Sequence, residues 1–141
     1  MTSSPQSGVR DASPVLRVLI VDDDFDSAEV LSFVLSAAGC DVRVALDAAA
    51  ALAIMEEFDA EAAIIDIGLP QITGLELVAQ LRATAELHRC RFIAVTGYVA
   101  ADLPERIASV GFEAYFTKPF SPQALLAALG VSETRANEMS S

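Results

Sequence analysis

Lysine is almost missing from this chain: Lys118 is the only one, and the nine basic residues stand scattered against 20 acids, for a net charge of −11. That balance opposes binding to DNA or RNA, which requires clustered Arg and Lys to displace counterions. Long hydrophobic runs are missing as well. None approaches the ~18–20 uninterrupted residues of a membrane span, and the Ser- and Pro-rich segment Met1–Pro14 lacks the apolar core of a signal peptide. A soluble, cytoplasmic protein is the expectation, with no membrane contact. Cysteine is scarce: Cys40 and Cys90 lie far apart, in neither CxxC nor metal-ligand spacing, and read as reduced and structural. The sole histidine, His88, sits in a polar stretch and reads as a surface residue. No internal repeat appears.

What is present is an alternation of extended and helical signals, five times over. Val15–Val21 is a near-continuous apolar run, as a strand buried on both faces requires. Asp26–Ala38 carries a helical stripe, Val30, Leu31, Val34 and Leu35, stopped by Gly39. Asp41–Ala45 alternates like an edge strand, and Asp47 can cap an alanine-rich helix running to about Glu57. A third strand, Ala62–Asp66, precedes a loop from Gly68 to Gly74 that contains Pro70, then a helix over Leu75–Ala83. Arg91–Thr96 is the fourth strand. The fourth helix begins between Ala100 and Pro104, because proline is tolerated only in a first turn, and stops at Gly111. Ala114–Phe116 forms the fifth strand. Ser121-Pro122 starts a last helix that ends near Gly130. Five βα units in this length predict a doubly wound three-layer α/β sandwich around a parallel sheet. A GxGxxG turn after the first strand would favour the dinucleotide-binding order, but that turn reads Asp22-Asp23-Asp24-Phe25. An acidic turn repels a pyrophosphate, which leaves the flavodoxin-like order 2-1-3-4-5.

The strands end in a telling way. Leu19-Ile20-Val21 runs into Asp22-Asp23, Ala63-Ile64-Ile65 into Asp66, Ile93-Ala94-Val95 into Thr96, and Tyr115-Phe116-Thr117 into Lys118. In a parallel sheet those ends share the edge where ligands bind. Carboxylates, a hydroxyl and an ammonium gathered there suit a divalent cation and a phosphoryl group. Mg²⁺, or Mn²⁺, takes oxygen ligands, which Asp22, Asp23 and Asp66 can supply. Without metal, three clustered carboxylates repel one another, and at least one pKa should rise. Lys118 would then pair with a phosphoryl oxygen and the Thr96 hydroxyl donate to another.

Val21-Asp22-Asp23, Ile65-Asp66 with Leu69-Pro70 and Gly74, Val95-Thr96-Gly97, and Lys118-Pro119-Phe120, in that order, resemble the receiver domain of two-component response regulators (the CheY-like superfamily). The resemblance runs from about Val15 to Gly130, which leaves residues 1–14 and 131–141 as tails. It implies phosphorylation of Asp66 by a histidine kinase or histidine phosphotransfer protein, with Mg²⁺ held by Asp22, Asp23, Asp66 and the backbone carbonyl of Gly68. It implies a phosphoacceptor rather than a turnover enzyme, a cis bond before Pro119, and a switch in which Thr96 moves toward the phosphoryl group and Tyr115 turns inward. Asp24 and Asp26 read as solvated or capping.

Several positions depart from the family's common pattern. Leu69 stands where methionine is frequent, and Gly97 where alanine is usual. Gly68 and Tyr98, two residues after Asp66 and Thr96, resemble the family's positions that set the lifetime of the phosphorylated state. The residues after Gly130 are too few for an output domain, so signalling by protein contact is expected, through the face of the fourth helix, fifth strand and fifth helix. The fifth helix bears no charged residue, which disfavours the charge-paired dimer of many receivers and suits a monomer or weak homodimer. A receiver belonging to a hybrid histidine kinase, or a degenerate receiver acting as a constitutive interaction module, are the alternatives. A phosphatase of the haloacid dehalogenase kind would need a second acid where Gly68 stands.

Overall fold

In the computed structural model, residues 15–69, 71–83, 90–97 and 99–131 are described. The two tails expected at residues 1–14 and beyond 131, and the readings on Pro70, His88 and Tyr98, lie outside them. Five parallel strands, β1 (Arg17–Val21), β2 (Asp41–Ala45), β3 (Ala62–Asp66), β4 (Arg91–Thr96) and β5 (Phe112–Thr117), form one sheet in the order β2-β1-β3-β4-β5. The connecting helices are α1 (Phe25–Ala37), α2 (Ala48–Phe58), α3 (Gly74–Arg82), α4 (Leu103–Val110) and α5 (Pro122–Leu129).

The apolar runs decide the layering. Successive side chains of a strand point to opposite faces, and β1 shows it: Leu19 and Val21 join the core under α2, α3 and α4, while Val18 and Ile20 join the core under α1 and α5. Every residue of β3 is buried. Each large aliphatic side chain sealed this way, Ile20, Ile64 or Ile93 among them, contributes roughly 1.5–3 kcal/mol relative to exposure.

Element ends differ from expectation where caps and bulges decide them. Val15 is 52% exposed and β1 begins only at Arg17. Asp24, not Asp26, caps α1, accepting from the Asp26 N–H at 3.2 Å. Thr73 and Glu76 form a reciprocal capping box, so α3 starts one residue early, at Gly74. β5 starts two residues before Ala114, because a register shift opposite Phe92 and Ile93 admits Glu113 and lets Phe112 pair with Phe92. The last helix begins and ends as expected: Ser121 caps α5, accepting from Gln123 and Ala124. Gly130 ends that helix in the left-handed region, at φ +84°.

Candidate functional site

Pairing register places the acids. Val21 stands opposite Ile65 across the β1–β3 pair, so Asp22 and Asp66 follow side by side as the strands end. Asp66 is the last residue of β3 and pairs with Val95, one residue before Thr96. Thr96 pairs with Thr117 of β5, and the Lys118 N–H donates to the Thr96 carbonyl at 2.7 Å. That bond carries Lys118 to the same edge. The Lys118–Pro119 peptide bond is cis, as expected.

The side chains converge. Lys118 Nζ donates to Asp22 Oδ2 and to Asp66 Oδ2, each at 3.1 Å. The Gly68 N–H donates to Asp66 Oδ1 at 2.8 Å, and the Asp24 N–H to Asp22 Oδ1 at 3.0 Å. Asp22, Asp66 and Thr96 are the buried polar residues among those described, at 5%, 7% and 5% exposure, whereas Asp23 is exposed. One carboxylate oxygen from each of Asp22, Asp23 and Asp66 lies within 4.8 Å of the others. An all-oxygen, anionic donor set with an open side toward Asp23 fits a hard divalent cation such as Mg²⁺.

Electrostatics follow from this crowding. Burial pushes Asp22 above the ordinary carboxylate range, outweighing the lowering by the Asp24 N–H and the Lys118 ammonium. Burial works against the Lys118 charge too, but the hydrogen bonds and charges of Asp22 and Asp66 prevail and hold its pKa above the ordinary lysine value. Ser27, donating from its hydroxyl at 2.8 Å, lowers Asp24, which thereby serves α1 as cap and stays apart from the cluster. Asp26 is exposed beside it.

The remaining expected positions take distinct places. Tyr115 is 39% exposed on β5, paired across the sheet with Ala94. Among the described residues, a Cβ at Gly68 would meet only Asp66 Oδ1 at 3.6 Å, and one at Gly97 would meet nothing within 4 Å. Gly74 has a strict reason to be glycine. A Cβ there would lie 2.6 Å from the Asp66 carbonyl oxygen and 2.9 Å from Ile67 Cα, so the α3 start closes directly onto the backbone of Asp66.

One feature had no counterpart in the sequence reading. A groove of about 570 Å³ opens beside Asp22 and Lys118, between α1 and the β5–α5 connection. Val30, Leu31, Pro119 and Phe120 wall it, over a floor of Ile64 and Val95. Its lining comes from five separate segments, a distribution no local pattern reveals. Next to it α1 exposes Val30 and Phe33, at 62% and 75%.

The family model for the response regulator receiver domain matches residues 18–130. The DNA-binding response regulator MtrA of Mycolicibacterium paratuberculosis is 34% identical over 111 residues, 79% of this chain and 48% of that protein. The chain thus spans about half the length of that relative. Among solved structures, a CheY-like receiver domain protein from Methanospirillum hungatei superposes with a TM-score of 0.76 at 30% identity, covering 88% of this chain and 95% of that one. A response regulator from Burkholderia pseudomallei, solved with a phosphorylated aspartic acid and a calcium ion, gives 0.75 at 28% identity over 89% of this chain and 71% of its own.

Proposed function

The chain belongs to the response regulator receiver domain family, and from that membership we propose that Asp66 accepts a phosphoryl group from a histidine kinase or histidine phosphotransfer protein. The observation that carries this reading is the single ammonium, Lys118, hydrogen-bonded at once to the carboxylates of Asp22 and Asp66. In this reading a carboxylate oxygen of Asp66 forms a bond to phosphorus as the donor's own bond to phosphorus breaks, and the electron pair leaves with the donor. Lys118 turns from Asp66 to a phosphoryl oxygen, where it offsets charge as a point cation. The Gly68 N–H, already aimed at Asp66 Oδ1, keeps the carboxylate oriented. Thr96, buried at the adjacent strand end, offers a hydroxyl to a second oxygen. Asp22, Asp23 and Asp66 would hold Mg²⁺, which supplies charge neutralisation when bound.

No acid-base group stands two residues beyond Asp66, where Gly68 lies, so the chain acts as an acceptor and not as a phosphatase. With no side chain at Gly68 or Gly97, neither residue itself obstructs a donor side chain presented by a protein. The apolar groove beside Lys118 and the exposed Val30 and Phe33 supply the surface on which that donor rests. Signal leaves by protein contact at the face of α4, β5 and α5, where Tyr115, Ala124 and Ala127 are exposed.

Intact-protein mass after incubation with acetyl phosphate and Mg²⁺ tests the reading. A gain of about 80 Da, one phosphoryl group, is expected in the parent and not in Asp66→Asn. No gain at any magnesium concentration, with no response to beryllofluoride, would leave a constitutive interaction module instead.

A further inference from the structure

The two ends of α4 are held very differently. At its C-terminal end the Arg82 guanidinium, from the last residue of α3, donates from Nη2 to the Gly111 carbonyl at 2.6 Å. The same guanidinium lies 4.7 Å over the Phe92 ring of β4, and Phe92 meets Phe112 edge-on at 6.3 Å. Gly111 closes α4 at φ +115°, with its N–H on the carbonyls of Ile107 and Ala108. The space a side chain would need there is taken by Arg82 Nε, Cδ and Cζ. Arg82 Nε is buried with no hydrogen-bond partner among the described residues. A cation kept in such a place joins three elements, α3, β4 and the end of α4, at a single point. Its charge also faces the carbonyl end of a helix, where cations are favoured.

The other end has no such polar tether among the described residues: Leu103 is buried there, and Val99 and Ala100 pack against the same core, so packing holds it. Asp102 stands at the N-cap without a side-chain cap hydrogen bond. Along the whole helix only Leu103 and Ile107 are buried. The segment that leads to this end starts at Thr96 and Gly97, the hydroxyl-bearing corner of the carboxylate site, where among the described residues a Cβ on Gly97 would meet nothing within 4 Å. The chain leaving Thr96 thus leads to the end of α4 that lacks a side-chain cap, while the far end is tethered through Arg82.

We infer that Arg82 is the pivot of α4, so that a change at Asp66 and Thr96 reaches the outer face as a swing of the Leu103 end about Gly111. This rests on the phosphoacceptor reading for its trigger, but the pivot itself does not. Arg82 is a positioning residue. It lies at the opposite end of α4 from the corner at Thr96 and touches none of the acids.

Hydrogen exchange along residues 99–112 tests it, with beryllofluoride and Mg²⁺ as the loading probe, in the parent, Arg82→Met and Arg82→Lys. Thermal melts establish that each variant is folded, and Arg82→Lys, which keeps the charge without the planar fork, serves if the methionine variant does not fold. In the parent, beryllofluoride should change exchange about threefold or more at 99–106 and leave 108–112 within about twofold. Either variant should exchange faster at 108–112 without any ligand, about tenfold for methionine, and its beryllofluoride response should spread along the helix. A folded variant with the parent's resting exchange at 108–112 overturns the pivot. So does a parent response that is even from 99 to 112, or absent while the Asp66 segment is protected. Failure of the Asp66 segment itself to respond overturns the phosphoacceptor reading instead, and the ligand-free comparison still decides the pivot.

Discussion

Replacing Lys118 with methionine removes the one cation that two carboxylates share. At 3.1 Å to each oxygen, a single contact amounts to about 5 kcal/mol at an effective dielectric constant near 20. Desolvation of the partners and the 30% side-chain exposure of Lys118 cancel most of that, and the methylene stem is replaced by methionine. Removing one partner of a buried ion pair costs about 3–5 kcal/mol, so a partly exposed lysine should cost about 2–3 kcal/mol. Urea denaturation at neutral pH without metal reads this directly, with the slope unchanged. The sign with pH follows from the raised Lys118 pKa. Its contribution is complete below the unfolded-state value, about 10.4, and is lost as pH rises through the folded-state value. The gap between parent and variant should hold from neutrality to about pH 10 and close above it. Magnesium supplies the second arm. A divalent cation held by Asp22, Asp23 and Asp66 would compete with Lys118 for two of those carboxylates, so the variant should bind Mg²⁺ about tenfold more tightly, worth about 1.4 kcal/mol. At 100 times the dissociation constant, Mg²⁺ should restore about 2.7 kcal/mol of stability. A loss below about 0.5 kcal/mol, or magnesium binding weaker than in the parent, would refute the shared-cation account.

Gly74→Ala places a methyl 2.6 Å from the Asp66 carbonyl oxygen and 3.0 Å from Ile65 Cγ2. Urea denaturation should show a loss of about 3 kcal/mol, together with slower phosphoryl uptake because Asp66 is displaced; wild-type stability would contradict the close approach. Cys90, 4% exposed, has its thiol pushed up to about 12, chiefly by burial. Since the raised value keeps the proton in the folded state, the neutral thiol is lost only as pH approaches that figure. Peptide mapping after iodoacetamide at pH 8 should find Cys90 alkylated only in denaturant, and labelling of the native chain at the rate of a free thiol would disprove it.

Much of this architecture is legible in the residues because the strands of the sheet's centre are buried on both faces. Leu19–Val21, Ala62–Ile65 and Phe92–Val95 are unbroken apolar runs, and each run stops where its polar group begins. The convergence of Asp22, Asp66, Thr96 and Lys118 is readable for the same reason: a parallel sheet brings all the carboxyl ends of its strands to one edge. Other features depend on partners far along the chain. The early start of β5 needs the register shift opposite Phe92, which no alternation within residues 112–117 announces. Gly74 looks like an ordinary loop glycine until α3 is laid against the backbone of Asp66. Arg82 looks like a basic last-turn residue of a helix, and its bond to Gly111 spans 29 positions. The Thr73–Glu76 capping box was the missed local signal, since its spacing alone marks a helix start.

The site's two key bonds join residues 52 and 96 positions apart. A chain emerging from the ribosome would carry its acids early and its only lysine late. Until β5 docks against β4 and the Lys118 N–H finds the Thr96 carbonyl, the acids have no shared cation and the carboxylate edge is incomplete. Long-range pairing of this kind forms late because loop closure must be met first. A half-made copy is therefore deaf to the incoming signal, and competence to receive it certifies that synthesis and folding have reached the last strand.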